Sequence, residues 1–165
     1  CLVMGNTNPT TAGAGGVYIN NGGARIRNCT IVGNVATNVG GLMILAGSAT
    51  NLVVWGNKGF TGTNDIVGTN LVRFSCSPDL GHDPTGTGNI TNNPLFVNSG
   101  SGFGLAHATG DYHLAVNSPC IEAGFNIPEL ETGVDLDGKP RRHRNQIDMG
   151  AYEAKYNRAM MIFVR

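Results

Sequence analysis

Charge is scarce in this chain. Only 13% of its 165 residues are Asp, Glu, Lys or Arg, with bases and acids balanced at 11 each. No dense Lys/Arg run occurs, and a phosphate backbone is held by clustered cations, so nucleic acid is not an expected partner. Long hydrophobic stretches are missing too. No segment approaches the ~20 apolar residues that cross a bilayer as a helix, so no membrane span is expected. The N-terminus has no basic region followed by an apolar stretch and a cleavage site, which leaves any export signal outside the chain or already removed. The 4 cysteines are too few for a disulfide scaffold and lack the CxxC spacing of zinc or dithiol redox sites. Apolar residues at helical spacing are also absent. What remains is 41% hydrophobic content, enough for the core of one domain, arranged in short β-branched runs between Gly and Asn.

Those runs repeat. Cys1-Leu2-Val3-Met4-Gly5-Asn6 matches Cys29-Thr30-Ile31-Val32-Gly33-Asn34, and both match Leu52-Val53-Val54-Trp55-Gly56-Asn57. A second marker, Gly15-Gly16-Val17-Tyr18-Ile19, returns as Gly40-Gly41-Leu42-Met43-Ile44 in the same phase. A period in the twenties with β-rich runs and Gly/Asn corners suits a parallel β-solenoid, whose coils turn several times and stack at about 4.8 Å. Leucine-rich repeats have a similar period, but their LxxLxL pattern is absent. The fold class is therefore all-β: a right-handed parallel β-helix with a C-terminal cap. Its register should place Val17 on Leu42, Cys29 on Leu52 and Asn34 on Asn57. Asn6, Asn34 and Asn57 share one corner, where stacked amides could bond from coil to coil and tolerate left-handed backbone angles; Gly-Asn is also ordinary turn chemistry.

Period-2 alternation turns Cys1, Val3, Cys29, Ile31, Leu52 and Val54 inward, so Cys1 and Cys29 become stacked core thiols. That match to an interior repeat position outweighs a lipidated N-terminal Cys and indicates a chain that starts within a coil of a longer protein. The outward set is unexpectedly apolar: Leu2, Met4, Val32, Val53 and Trp55. Such faces mark contacts. The terminal run Met161-Ile162-Phe163 has strand character, and residues 159–164 are expected to cover either that face or an open coil end, in the same subunit or head-to-tail in the next.

After Thr61 the repeat loosens, and a Gly/Pro/Thr-rich loop occupies 77–88. The boundaries read as coils over 1–125, a capping segment over 126–156 and an apolar tail over 157–165. The series Gly88-Asn89-Ile90-Thr91-Asn92-Asn93-Pro94-Leu95-Phe96-Val97, Gly110-Asp111-Tyr112-His113-Leu114, Ser118-Pro119-Cys120-Ile121-Glu122-Ala123-Gly124 and Asp135-Leu136-Asp137-Gly138-Lys139-Pro140-Arg141, ending in Asp148-Met149-Gly150-Ala151-Tyr152-Glu153, resembles the closing module of bacterial right-handed β-helix repeat proteins. It is similar to the C-terminal part of surface proteins of the choice-of-anchor type. The resemblance implies export to the extracellular space or cell surface. In that oxidising setting Cys76 and Cys120 read either as a disulfide bracketing the loop or as two buried thiols.

Candidate chemistry is sparse. Asp135-x-Asp137-Gly138 could open a calcium loop, but it lacks the remaining ligands of an EF-hand, and a β-turn with Arg141 pairing a carboxylate such as Asp148 is the better reading. His82-Asp83, His107 and His143 are not brought together by spacing, so no catalytic residue, metal or cofactor is assigned. Arg25 and Arg27 flank inward Ile26, and Tyr18 points out from the same strand region, giving either the edge of a glycan face or a solvated rim. The sequons at Asn28 and Asn89 are incidental in a bacterial context. The expected function is a structural or adhesive module of a secreted or surface protein, self-associating or packing on its parent protein, with polysaccharide as a further partner. The alternative is the C-terminal part of a β-helix polysaccharide lyase or glycoside hydrolase.

Overall fold

A computed structural model describes residues 1–81, 87–130, 132–142 and 146–154. The first coil carries β1 (Leu2–Met4), β2 (Thr7–Asn8) and β3 (Val17–Arg27). The second carries β4 (Thr30–Val32), β5 (Val35–Ala36) and β6 (Leu42–Thr50). The third carries β7 (Val53–Trp55), β8 (Lys58–Gly59), β9 (Ile66–Val67) and β10 (Val72–Arg73). Equivalent strands stack in parallel as β1-β4-β7, β2-β5-β8 and β3-β6 followed by β9 and β10. This is a parallel β-helix of about 3 turns. The expected register is present: Val17 pairs with Leu42, Thr30 with Val53 so that Cys29 lies over Leu52, and Asn34 bonds Asn57.

The double-glycine marker has a packing cause. A Cβ on Gly40 would stand 2.4 Å from the Lys58 nitrogen, and one on Gly41 2.4 Å from the Asp65 carbonyl oxygen. Successive coils approach too closely there for any side chain.

At the other corner the structure corrects the expectation that Asn takes the left-handed conformation. Gly5, Gly33 and Gly56 take it, at φ +66°, +63° and +65°. The following asparagines are thereby freed to aim their amides along the coil axis. Asn6 donates from Nδ2 to Asn34 Oδ1 at 2.9 Å, Asn34 to Asn57 Oδ1 at 2.9 Å, and Asn57 to Asp65 Oδ1 at 2.8 Å. A second ladder stands at the entry to the same strands, where Asn28 and Asn51 do carry positive φ (48° and 58°) and Asn51 Nδ2 donates to Asn28 Oδ1 at 3.3 Å. It was legible in the sequence, since Asn28-Cys29 and Asn51-Leu52 repeat in phase with the first marker.

Two apolar cores result from the alternation. Inside the coils lie Ile19, Cys29, Ile31, Leu42, Ile44, Leu52, Val54 and Ile66. Outside β7, Val53 and Cys76 pack with Leu114, Cys120 and Met149. Among the described residues the last parallel bridge joins Cys76 and Ile90. Beyond it, β11 (Phe96–Asn98) and β12 (Asp111–Leu114) form an antiparallel pair. The described residues of 94–130, 132–142 and 146–154 add no coil; they return alongside the outer face of β1-β4-β7. Gly104 N bonds Gly33 O at 2.7 Å, Ala151 N bonds Thr30 Oγ1 at 3.0 Å, and Gly150 N bonds Asn51 O at 2.9 Å.

This placement corrects the interface expectation. Val32 and Val53 are buried within the chain, at 3% and 0% exposure, while Leu2, Met4 and Trp55 are half-buried. The apolar outer face is apolar because the chain's own C-terminal segment covers it over the second and third coils. Met161, Ile162 and Phe163 lie outside the described residues.

Residues 135–142 and 146–153 form turns and an ion pair on the side of the solenoid. Asp135 Oδ1 accepts from the Asp137 and Lys139 nitrogens at 2.8 and 2.9 Å, and its Oδ2 from Glu153 N at 2.9 Å. Those bonds make the Asp-x-Asp-Gly motif a turn. Arg141 is buried and donates to the carbonyls of Gly150 and Ala151 and to Glu153 Oε1, at 3.0, 3.0 and 3.3 Å. Its carboxylate partner is thus Glu153, with Asp148 occupied by the backbone nitrogens of Glu122 and Ala154.

Candidate glycan-binding face

The sheet built from β3, β6 and β10 turns one face to the inner core and one outward. Ala24 and Ile26 pack on the core, so alternation directs Arg25 and Arg27 out. Register then extends the basic column. Arg25 pairs with Ser48, Arg27 with Thr50, and Thr50 with Arg73. Two rungs of about 4.8 Å separate Arg27 from Arg73 by roughly 10 Å. Arg25 and Arg73 are exposed, whereas Arg27 is half-buried with its Nη1 3.6 Å from Glu129 Oε2, an exposed and therefore weak pair.

Sequence reasoning missed Arg73. It found no basic residue on the next coil, and the next coil indeed carries Thr50; the match lies one coil further. Extending the Asn28-to-Asn51 step once more from Thr50 would have reached it. Tyr18, 49% exposed, faces outward on the same strand with Met43 and Val67 on successive rungs. An irregularity separates it from the arginines: register shifts between Asn20 and Arg25, and Asn21 Oδ1 accepts from Gly23 N at 2.9 Å in an exposed bend. The structure therefore groups Arg25, Arg27 and Arg73 and leaves Tyr18 at the far side of that bend.

The other titratable cluster is a clamp. His113 on β12 holds Asp111 Oδ1 with Nδ1 at 2.5 Å and Asp137 Oδ2 with Nε2 at 2.9 Å, and its ring lies 4.2 Å from that of Tyr152. Burial pulls the imidazole down, but the two carboxylates outweigh it and its pKa is raised. Asp137 is lowered to about 2, first by Lys139 and then by His113. With both ring nitrogens engaged, His113 joins β12 to the Asp135–Lys139 turn and has no nitrogen left to act as a base. His107 is engaged likewise, by Gly102 O at 3.0 Å and the Tyr112 hydroxyl at 2.6 Å. His82, Asp83 and His143 lie outside the described residues.

The cysteines form two close pairs of unbonded thiols. Cys1 and Cys29 lie Sγ to Sγ at 2.9 Å across the first two coils. Cys76, on the outward column with Thr30 and Val53, meets Cys120 of the returning segment; that hydrogen bond and then burial push the Cys76 thiol up.

Among the described residues no group of three or more His, Cys, Asp and Glu is placed to hold a metal ion, and no helix is long and apolar enough to cross a membrane. No known protein family matches the chain, and neither curated proteins nor solved structures yield a match to it.

Proposed function

We propose that the chain is a structural or adhesive module of a secreted or surface-displayed protein, one that terminates a stack of β-helix coils. The observation that carries this reading is the difference between the two ends of the amide ladders. At the end reached through the third coil, Asp65 accepts from Asn57, Asp79 Oδ2 accepts from the nitrogens of Asp65 and Ile66 at 2.8 and 2.9 Å, and Leu80 packs against the inner core. At the other end, among the described residues, Asn28 Nδ2 is buried without a hydrogen-bond partner and β1, β2 and β3 are each paired on one side only. A buried amide donor without a partner costs about 1–3 kcal/mol, which a stacked coil would recover. Head-to-tail fibre growth would need both ends open, so a terminal module is favoured over a fibre repeat. The affiliation with choice-of-anchor surface proteins belongs to this proposal and rests on the ordered residue series of the C-terminal third.

The test is to fuse a copy of residues 29–51 directly before Cys1, which sets a second Asn51 in phase above Asn28. The extended protein should unfold at higher urea with a larger m-value, because the added coil joins the cooperative unit. An unchanged or lower midpoint would overturn the reading.

Arg25, Arg27 and Arg73 favour a second reading, in which the outer face of β3-β6-β10 binds an acidic polysaccharide running along the coil axis. Retention on an immobilised polyuronate, lost at high salt and in an Arg27→Ala/Arg73→Ala double variant, supports it. Appearance of unsaturated products on incubation with such a polymer would instead favour the lyase alternative.

A further inference from the structure

We infer that Cys1 and Cys29 are a disulfide-forming pair that staples the first coil to the second. Register sets their spacing: Leu2 pairs with Thr30 and Thr30 N bonds the Cys1 carbonyl at 2.9 Å, so the two cysteines sit on adjacent parallel rungs. Rungs about 4.8 Å apart fall inside the Cα separations that a disulfide bridges without backbone movement. Cys29 belongs to the inner core, and the two sulfurs are already 2.9 Å apart.

Access is asymmetric in the useful sense. Cys1 is exposed and Cys29 buried, so an oxidant reaches Cys1 first. The thiolate of Cys1 attacks one sulfur of a low-molecular-weight disulfide and displaces one thiolate, leaving a mixed disulfide on Cys1. The thiolate of Cys29 then attacks the Cys1 sulfur and displaces the second. Two protein thiols are oxidised, the small disulfide is reduced to two thiols, and these take up the two protons. The bond would hold β1 to β4 across their shared rungs. Cys76 and Cys120 are both fully buried and receive no oxidant until the returning segment opens.

In the cell the oxidant rests on the extracellular reading above; the pairing itself is tested in vitro and fails or succeeds independently of it. The reduced native protein is treated with oxidised glutathione at neutral pH and analysed by intact mass and peptide mapping. The expected product has lost two hydrogens, carries no glutathione, and links the peptides of Cys1 and Cys29. Cys29→Ser should accumulate glutathione on Cys1. Cys1→Ser, at an exposed position that leaves the core intact, should give neither crosslink nor adduct. The oxidised wild type should need more urea to unfold and return to the original midpoint on reduction. Persistent glutathione on wild-type Cys1, a Cys76–Cys120 link formed without a Cys1–Cys29 link, or a midpoint unmoved by oxidation would overturn the inference.

Discussion

Asn57 and Asp65 close the inner amide ladder: one carboxylate oxygen of Asp65 accepts both the backbone N–H of Asn57, at 3.0 Å, and its Nδ2, at 2.8 Å. A carboxylate accepts without needing to donate onward, so it ends a chain of amides that an asparagine would continue. Burial raises the Asp65 pKa to about 6, opposed by the bonds from Asn57. A folded-state pKa above the unfolded value means protonation favours the fold. The contribution is complete below pH ~4 and lost as pH rises through about 6, an effect on the order of 2–3 kcal/mol. Urea midpoints should therefore fall between pH 4.5 and 7.5. Asp65→Asn, neutral throughout, should flatten that part of the profile, and an unchanged slope would assign it to other groups.

Ladder positions should differ in cost by burial. Asn34 is fully buried; it accepts from both nitrogens of Asn6 and donates to Val3 O and Asn57 Oδ1. Asn34→Ala strands several of these groups at once and should cost about 3 kcal/mol or more. Asn6 is exposed, water replaces its partners, and Asn6→Ala should cost about 1 kcal/mol or less. Denaturant titration of the two variants checks the gradient.

Glycines of the two kinds should also separate. Gly41→Ala drives a methyl to 2.4 Å from the Asp65 carbonyl oxygen, forcing coils apart, and should cost several kcal/mol, on the order of 3 or more. Gly56 has φ +65° but nothing within 4 Å of a Cβ, so Gly56→Ala bears only backbone strain, about 1–2 kcal/mol. Equal losses in the two variants would contradict the packing account.

The returning segment is tied by buried Arg141 and Glu153, whose Nη1 and Oε1 lie 3.3 Å apart. Burial, and then the charge of Asp148, raises Glu153 to about 8, opposed by the Asp148 nitrogen and by Arg141. Its contribution to stability is present below pH ~4.5 and lost as pH rises through about 8. Amide exchange at Gly150 and Ala151, whose nitrogens bond Asn51 O and Thr30 Oγ1, should accelerate above that pH beyond the intrinsic rate. Arg141→Ala strands the buried carbonyls of Gly150 and Ala151 and Glu153 Oε1 and should cost about 3 kcal/mol or more, or release the segment outright. Released segments would expose Cys76 and Cys120 to thiol reagents under native conditions.

The coil register was readable because a stacked repeat ties distant residues together by phase alone. Cys29 with Leu52, and Val17 with Leu42, needed only two in-phase markers and the period-2 alternation. Asn34 and Asn57 were placed at the right corner and in the right coil-to-coil ladder, but the left-handed backbone angle was also laid to them. Identity at a corner does not say whether a residue supplies the backbone angle or the buried amide, and here the preceding glycine supplies the angle. Arg73 was missed because the rung between it and Arg27 carries the neutral Thr50, so a search for bases on adjacent coils stops one coil short.

Sequence by itself determined the parallel stacking, the inward faces, the turn at Asp135 to Gly138 and the cysteine pair at the first two coils, since each follows from local alternation or from phase. Tertiary structure alone decided where the C-terminal segment goes. Outward Leu2, Val32 and Val53 announce that something apolar must cover them, but hydrophobic burial is non-directional. Another subunit, a terminal tail and residues 94–154 would satisfy it equally well in sequence terms. The choice came from long-range hydrogen bonds, Gly104 to Gly33 and Ala151 to Thr30, between groups that no periodicity relates.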